Sequence, residues 1–561
     1  MMTKTFAARH DIDALRVAAS WPNPSPRILL VLMNQLLAAR RYDEAHEFFD
    51  KLSREDPDQA LPLAIAGIAL SKLGGRLDEA LGTLDAAVAK QVGLPNYLRG
   101  IVRAQAGITE GIADLELVVA LPERFPSGVR RSAYHGLASL YAAAGREDDA
   151  QRARDKVGTD RHASLLAADY WVTDDAGFRF VPPQLVEVAE GVHVAKGYDF
   201  SDIAFVRTSA GVIAIDAGGT PDNAAAALAA YRAITTDPIT HVLITHGHWD
   251  HVGGLAALRG PDTQVVARSN IEHRHTVRPP WPRFLPAGET LRGLDGEPDQ
   301  LIDEPTTLRI GDLDVELLPV SGGETEDALL VHVPARGVLF VGDIMMPYLG
   351  APFFGEGSPE GLIEGMREVE RLAPKVVVHG HPPLTDNFTT ATIPHVRAAL
   401  ESLVDTVDAD LRDWRTLGQI LRRNHLPELL REHPDAVLPY LLLREGLIKR
   451  KHRQYSGYWQ PDGEGVEDIF PDEWALALDL LAAGDPDRHA EVIRDLLDRD
   501  YLPVALRLVD HALLRHADHP ALSALRQETL ERLTERNLNT GPFRFIIYSG
   551  LSGIELPVPQ V

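Results

Sequence analysis

A chain of 561 residues, 45% of them hydrophobic, has apolar material for several cores, and roughly 100–200 residues per domain makes three domains the expectation. A formal net charge of −25 and a pI near 5.3 argue against nucleic acid or an anionic membrane surface as partner, since both recruit basic patches. The absence of cysteine excludes disulfides and thiolate metal ligands, and no apolar run reaches the ~18 residues that a membrane span requires.

The first residues, Met1 to Ala7 running into Arg9-His10-Asp11, carry no apolar stretch of the kind a secretory signal needs, so the expected location is the cytoplasm. From about Pro24 to Lys156 the pattern is helical and repetitive. Tyr42-Asp43-Glu44-Ala45 recurs 35 positions later as Leu77-Asp78-Glu79-Ala80, and Glu147-Asp148-Asp149-Ala150 stands 70 positions beyond that. Phe49 and Leu84 match at the same step, and Ile108 to Leu115 reads as a degenerate copy. A period near 34 marks tetratricopeptide-type helix pairs. Residues 1–165 resemble such an array, with most consensus aromatic and glycine positions missing, and an ordinary helical bundle is the alternative. The expected role of this region is docking, of a protein partner or of the chain's own remaining domains.

Val157 to Pro183 reads as a linker closing on Pro182-Pro183. Strands follow. Val186-Glu187-Val188 and Gly191 to Ala195 read as a hairpin, and Asp202 to Arg207 and Gly211 to Asp216 as two further strands. The last ends in Asp216-Ala217-Gly218-Gly219, after which Asn223 to Ile234 reads as a helix. Another apolar strand, His241 to Ile244, leads into Thr245-His246-Gly247-His248-Trp249-Asp250-His251-Val252-Gly253-Gly254, and Leu255 to Leu258 is helical. The ligand-type residues therefore sit on a strand-to-helix loop, where a rigid scaffold can aim them. His246 and His248, two apart, share one side of an extended loop. Asp250 and His251 come after the turn and can face a second point. Imidazoles with a carboxylate suit zinc, and two clusters imply two ions.

The His-X-His-X-Asp-His order resembles the metallo-β-lactamase superfamily. The resemblance implies an α/β fold, an αββα sandwich over residues 180–395 with the metals at one edge of its two sheets. It makes Asp216 a buried carboxylate that braces the ligand loop. It also implies three ligands downstream, each after a strand. In Ser321-Gly322-Gly323-Glu324-Thr325-Glu326 the register of the superfamily's third His falls on Glu324, with Glu326 as the competing assignment. Asp343, ending Val338-Leu339-Phe340-Val341-Gly342-Asp343, matches the bridging Asp. In Val378-His379-Gly380-His381 the register selects His381, leaving His379 to the core or to a place behind the ligands. The implied set is His246, His248 and Glu324 on one metal and Asp250, His251 and His381 on the other, with Asp343 between them. Asp250, His246 and His248 are the catalytic candidates. Two Zn²⁺ are expected, one site being weaker or taking another divalent metal because a carboxylate replaces a His.

A Glu in the third-His position resembles the zinc-dependent alkylsulfatase branch. So do Gly197-Tyr198-Asp199-Phe200-Ser201-Asp202, the 19-residue step from Glu324 to Asp343, His452 to Trp459, Phe470-Pro471-Asp472-Glu473-Trp474, Asp500-Tyr501 to Pro520, and Gly541 to Phe545. By this resemblance residues 396–561 are a helical dimerisation domain, including the apolar run Leu438 to Leu443, and the chain is a homodimer. The branch's arginine-bearing segment after the bridging acid is replaced by Tyr348-Leu349-Gly350-Ala351-Pro352-Phe353-Phe354, which has no cation. Arg268, Arg274, His275 and Arg278 are alternative anion contacts. The implied activity is hydrolysis of an ester-type bond (alkyl sulfate, lactone or other ester) by a hydroxide shared between the metals. Tyr198, Phe200, Trp281, Phe353 and Phe354 are the expected apolar pocket for a small hydrophobic substrate. The rival readings are a non-hydrolytic or iron-dependent member, and a repeat scaffold with a secondary enzyme domain.

Overall fold

The computed structural model describes residues 9–121, 124–125, 127–157, 171–173, 177–271, 294–346, 357–456 and 469–537, with short pieces between 544 and 551. The chain gathers into two compact units, residues 1–168 with 459–561, and residues 169–458. No helix of the described residues is long and apolar enough to cross a membrane.

The first unit begins with helices α1 (Arg9–Ala19), α2 (Pro26–Ala38), α3 (Tyr42–Glu55), α4 (Ala60–Ser71), α5 (Leu77–Lys90), α6 (Leu94–Gln105), α7 (Gly111–Val119), α8 (Ser127–Ala143) and α9 (Glu147–Val157). The repeated sequence motif opens α3, α5 and α9, and one turn device precedes each. Arg40, Gly75 and Gly145 take left-handed backbone, with φ of 56°, 76° and 72°. The next residue, Arg41, Arg76 or Arg146, starts the helix. Its carbonyl accepts the N–H of Ala45, Ala80 or Ala150 at 2.9, 3.0 and 2.9 Å. Its guanidinium holds Glu44, Glu79 or Asp149, three residues on. Such exposed pairs contribute little stability, so their use is to fix the turn. The alanines are fully buried, as are Phe49 and Leu84 one turn later. The 35-residue step is thus a repeated helix start with a small residue turned inward.

The second unit is a sandwich. After the short pair β1 (Trp171–Thr173) and β2 (Gly177–Arg179) come β3 (Gln184–Ala189), β4 (Val192–Lys196), β5 (Ile203–Thr208), β6 (Gly211–Ile215), α10 (Pro221–Tyr231), β7 (Ile239–Leu243), α11 (Trp249–Val252), α12 (Leu255–Leu258), β8 (Gln264–Arg268) and β9 (Gln300–Ile302). The second half holds β10 (Thr306–Ile310), β11 (Leu313–Pro319), β12 (Leu329–Val333), β13 (Val338–Gly342), α13 (Pro359–Leu372), β14 (Val376–His379), α14 (Pro382–Asn387), α15 (Ile393–Arg412), α16 (Leu417–Arg422) and α17 (Val437–Ser456). One sheet runs β3-β4-β5-β6-β7-β8-β9 and the other β10-β11-β12-β13-β14. Period-2 alternation assigns their faces. Ala204 and Val206 of β5, Ile213 and Ile215 of β6 and Leu243 of β7 join Val315, Leu317, Val331 and Phe340 of the other sheet in the central core. Ile203, Phe205, Val212, Ala214 and Val242 turn the other way, onto Ala224, Ala227 and Tyr231 of α10 and Leu255 and Leu258 of α12. Strands buried on both faces read as unbroken apolar runs. The expected αββα sandwich is what forms.

The pairs β6–β7 and β13–β14 are parallel, so Asp216, the metal-ligand loop, Asp343 and His381 all leave carboxyl ends of strands. In open α/β sheets this is where ligands bind. The helices after the sandwich divide between the two units. Helices α15 to α17 stay with residues 169–458, and the run Leu438 to Leu443 is half or fully buried there. Helices α18 (Pro471–Leu481), α19 (Pro486–Asp498), α20 (Leu502–Arg515) and α21 (Pro520–Asn537) belong with the N-terminal helices. Their core is Leu497, Leu502, Val509, Leu522 and Leu530, and Gln35 of α2 donates to the Arg536 carbonyl at 3.1 Å. The stretch 396–561, expected as one domain, is therefore split: the first helices pack on the sandwich and the last ones on α2.

Candidate metal centre

The stretch from the end of β7 through α11 carries four of the candidate ligands, His246 and His248 in the loop and Asp250 and His251 in the helix, and a brace below fixes it. Asp216 ends β6 in left-handed backbone, φ 58°, a conformation Asp tolerates better than most residues. Its Oδ1 accepts the Thr245 N–H at 2.8 Å, and its Oδ2 accepts the Thr245 hydroxyl and the His251 Nδ1–H, both at 2.8 Å. Asp216 thus holds the His251 ring with Nε2 pointing away from the brace, into the site. Asp327 takes the Gly247 N–H at 2.8 Å, and the Ser201 hydroxyl donates to the Asp250 carbonyl. Asp199 accepts from the N–H groups of Phe200 (2.6 Å) and Gly219 (2.9 Å).

Two groups of ligand atoms result: His246, His248 and Glu324, and Asp250, His251, Asp343 and His381. In the first, Glu324 Oε2 lies 3.4 Å from His246 Nε2 and 3.3 Å from His248 Nδ1. In the second, His251 Nε2 lies 3.4 Å from both Asp250 Oδ2 and Asp343 Oδ2. His381 Nε2 lies 3.3 Å from Asp250 Oδ2 and 2.9 Å from Asp343 Oδ2. The rings of His246 and His251 are 4.1 Å apart, so the two groups adjoin. Asp343, expected between the ions, groups with the second set through Oδ2.

Whether these residues fit metal ions is testable on their polar atoms. His246 Nε2, His251 Nε2, Glu324 Oε2 and Asp343 Oδ1 are all buried without a hydrogen-bond partner. A native fold leaves few such atoms, and here they converge. The separations of 3.3–3.4 Å are close to the edge of a tetrahedron with metal–ligand bonds of ~2.0–2.2 Å. The donor set fits a metal site.

The electrostatics agree. Burial alone would lower the His381 pKa, but Asp343, by charge and hydrogen bond, and Asp250 push it up to about 9. His251 is likewise opposed by burial and raised well above its usual value by Asp250, Asp343 and Asp216. Clustered carboxylates here favour positive charge beside them. Asp202, just before β5 with its N–H on the Gly380 carbonyl, is pushed up to about 7 by burial, against the pull of Lys196 and His381. Burial lowers the His379 pKa to about 4, and its Nε2 meets the Phe388 carbonyl at 2.8 Å, so of its two expected places it takes the core.

Glu324 is 4% exposed and lies among the ligands, whereas Glu326 is exposed and only its carbonyl is used, by Arg268 and Asn270. Arg268, weighed as an anion contact, donates Nη1 to the carbonyls of Val320 (3.0 Å), Glu326 (3.1 Å) and Ala328 (3.4 Å), holding the Glu324 loop in place. His332 sits inside β12 and pairs with Glu316 at 2.8 Å.

The aromatic expectations divide. Phe200 is buried with its ring 5.0 Å from that of His381, stacked on Trp249 at 5.5 Å and tilted against Phe180 at 5.0 Å, and its carbonyl accepts from His381 Nδ1 at 3.0 Å. It is a wedge behind a ligand. Tyr198 packs with the outer core around α10. Trp281, Phe353 and Phe354, and Arg274, His275 and Arg278, lie outside the described residues. Sequence reasoning missed Asp327, Asp199 and Phe180. Asp199 stood inside a segment already singled out, but nothing in its spacing told of its hydrogen bonds.

Residues 197–381 match the family model described as Metallo-beta-lactamase superfamily, and the match starts and ends on the segments that build the site. They form a metallo-β-lactamase domain. Among proteins of known activity, this domain is similar to a hydroxyacylglutathione hydrolase of Erythrobacter litoralis, 27% identical over 33% of this chain and 66% of the relative. Another, of Cereibacter sphaeroides, is 30% identical over 26% of this chain and 48% of the relative. A linear primary-alkylsulfatase of Pseudomonas sp. matches beyond the metallo-β-lactamase domain, 22% identical over 50% of this chain and 60% of the relative. The chain spans about half to two thirds of the length of these relatives. The structure of a stereoselective inverting sec-alkylsulfatase from Pseudomonas sp. superposes with a TM-score of 0.55 at 18% identity, covering 67% of this chain and 66% of that one, a likeness of fold.

Proposed function

We propose that the metallo-β-lactamase domain is a zinc-dependent hydrolase of an ester-type bond in a hydrophobic substrate. One observation carries the reading: ligand atoms from four separate segments, several of them buried without any other partner, converge into two adjoining groups. His246, His248 and Glu324 would hold one ion, and Asp250, His251, His381 and Asp343 the other. Bound there, divalent ions supply water activation near neutral pH and charge stabilisation at the reacting oxygen. The protein's own contribution is orientation. Asp216 fixes the His251 ring, the Phe200 carbonyl fixes His381, and Asp327 holds the loop between His246 and His248.

Within esters, the reading favours a carboxylic ester or thioester over a sulfate ester. Arg268 is engaged with three carbonyls, and the segment after Asp343 carries no cation before Arg367. The similarity to hydroxyacylglutathione hydrolases supports the same choice. The test is a panel of p-nitrophenyl esters, S-acyl thioesters and alkyl sulfates of graded chain length, run on zinc-loaded and chelator-stripped protein. The expected result is metal-dependent turnover of carboxylic or thioesters, with the specificity constant rising as the chain lengthens, by up to about 0.8 kcal/mol per buried methylene. Turnover confined to sulfates would overturn the choice of ester. No metal-dependent turnover of any panel member would overturn the hydrolase reading.

A further inference from the structure

Away from the metallo-β-lactamase domain, three successive helices of the other unit bring a second kind of ligand set together. Asp479 stands near the end of α18, His489 in the first turns of α19, and His516 directly after α20. His516 Nε2 lies 2.7 Å and His489 Nε2 3.6 Å from the same oxygen, Asp479 Oδ1. The two imidazole rings are 5.8 Å apart at 49°. One ligand atom from each residue lies within 4.8 Å of the others. We propose that Asp479, His489 and His516 form a metal site of their own, for one divalent transition-metal ion of the zinc class.

A hydrogen-bonded cluster does not account for the geometry. The Asp479–His516 contact is a good hydrogen bond, but it leaves His489 out. His489 is 8% exposed, and its Nε2 is buried with no hydrogen-bond partner although it points at the carboxylate. A buried imidazole nitrogen aimed at an acceptor beyond bonding distance is placed for a third atom between them. Arg515 lies 3.6 Å from Asp479 Oδ2, which leaves Oδ1 to the histidines. The donor chemistry selects the ion. Two imidazoles and one carboxylate suit zinc and its neighbours, while calcium and magnesium require mostly oxygen ligands. With metal–ligand bonds of ~2.0–2.2 Å, donor atoms sit roughly 3.4 Å apart. The His489 contact is already near that figure, and the His516 contact reaches it by a small side-chain rotation. Three protein ligands leave a position for water, and Asp479 and His516, 14% and 20% exposed, give solvent access. The ion would tie the end of α18 to the start of α19 and the end of α20.

The test counts ions in the full-length protein. Protein stripped by chelator is reloaded to saturation with zinc, desalted and measured by elemental analysis, beside His489→Asn and the isosteric Asp479→Asn. The expected result is one zinc per chain fewer in each variant, with unchanged helical circular dichroism. Adding zinc to stripped wild type should also raise the melting temperature more than it does in His489→Asn. The difference between wild type and variant carries the test, so it holds whatever the metallo-β-lactamase domain binds or hydrolyses. Equal zinc content in wild type and both variants would overturn the proposal, as would a loss that also appears when the exposed His511 is replaced by Asn.

Discussion

Replacing Asp216 by Asn tests the bracing argument where it is most exposed. Asn is the right probe because it tolerates the left-handed φ of 58° that Ala would resist. Its carbonyl can still accept the Thr245 N–H, now made to Oδ1. Its amide nitrogen then stands where Oδ2 accepted from the Thr245 hydroxyl and from His251 Nδ1, at 2.8 Å each. The hydroxyl can turn and accept. The imidazole can accept only by moving its proton to Nε2, the atom that faces Asp250 and Asp343 at 3.4 Å. Metal binding must then undo that tautomer and leave two donors facing each other. The loss is of the order of one hydrogen bond to a charged group, about 1.5–3 kcal/mol. At roughly 1.4 kcal/mol per factor of ten this is about 10–100-fold in zinc affinity, the range seen when the partner of a ligating His is removed. The assay is zinc competition against a chromophoric chelator, resolving the tighter and weaker ions. The ion held by His251 should weaken by that factor, and the ion on His246, His248 and Glu324 by less. A correctly folded Asp216→Asn protein whose zinc affinities all stay within twofold of wild type would refute the reasoning.

Glu324→Ala should remove one zinc per chain while Glu326→Ala removes none, by elemental analysis, since only the first is buried among ligand atoms. Gly380→Ala should cost the His251/His381 ion and destabilise the sandwich by about 1–3 kcal/mol in thermal melts. Its Cβ would stand 2.2 Å from Asp343 Oδ1 and 2.5 Å from His251 Cε1. The chain should run as a dimer in light scattering at micromolar concentration. The apolar run Leu438 to Leu443 is largely spent inside its own unit, so the interface is expected on α18, where Trp474, Leu480 and Leu481 are 48%, 72% and 82% exposed. Leu480→Asp with Leu481→Asp should give monomer, and an unchanged dimer would place the interface elsewhere.

What the sequence carried is uneven, for physical reasons. Strands buried on both faces leave unbroken apolar runs, so β5, β6, β7, β13 and β14 could be read with their ends nearly in place. Ligands that follow such strands inherit the certainty of the strand. His246, His248, Asp250 and His251 lie within six residues, Asp343 directly follows β13, and His381 stands two residues past the end of β14. The 35-residue step was legible because a helix start is a local event: an Arg, an acid three residues on, and an Ala after that. The division of residues 396–561 was not. Helices α15 to α21 all read as amphipathic or apolar helices, and nothing local states which core each face will cover.

The choice between Glu324 and Glu326 shows the boundary between the two kinds of information most closely. The residues stand two apart on one loop, carry the same side chain, and both suit a metal by chemistry. Local sequence therefore left them close. What separates them is set at a distance. Arg268, at the end of β8 in the other sheet, holds the carbonyls of Val320, Glu326 and Ala328, so the backbone at 326 is turned toward Arg268 and its side chain outward. Gly323 lets the chain pass where a Cβ would meet the Ile344 carbonyl at 2.3 Å, which carries Glu324 inward beside His246 and His248. One arginine and one glycine, neither a ligand, thereby decide which carboxylate joins the ligand group. The same logic explains Asp479, His489 and His516. Each is unremarkable on its own helix, and only the packing of α18, α19 and α20 makes them a set.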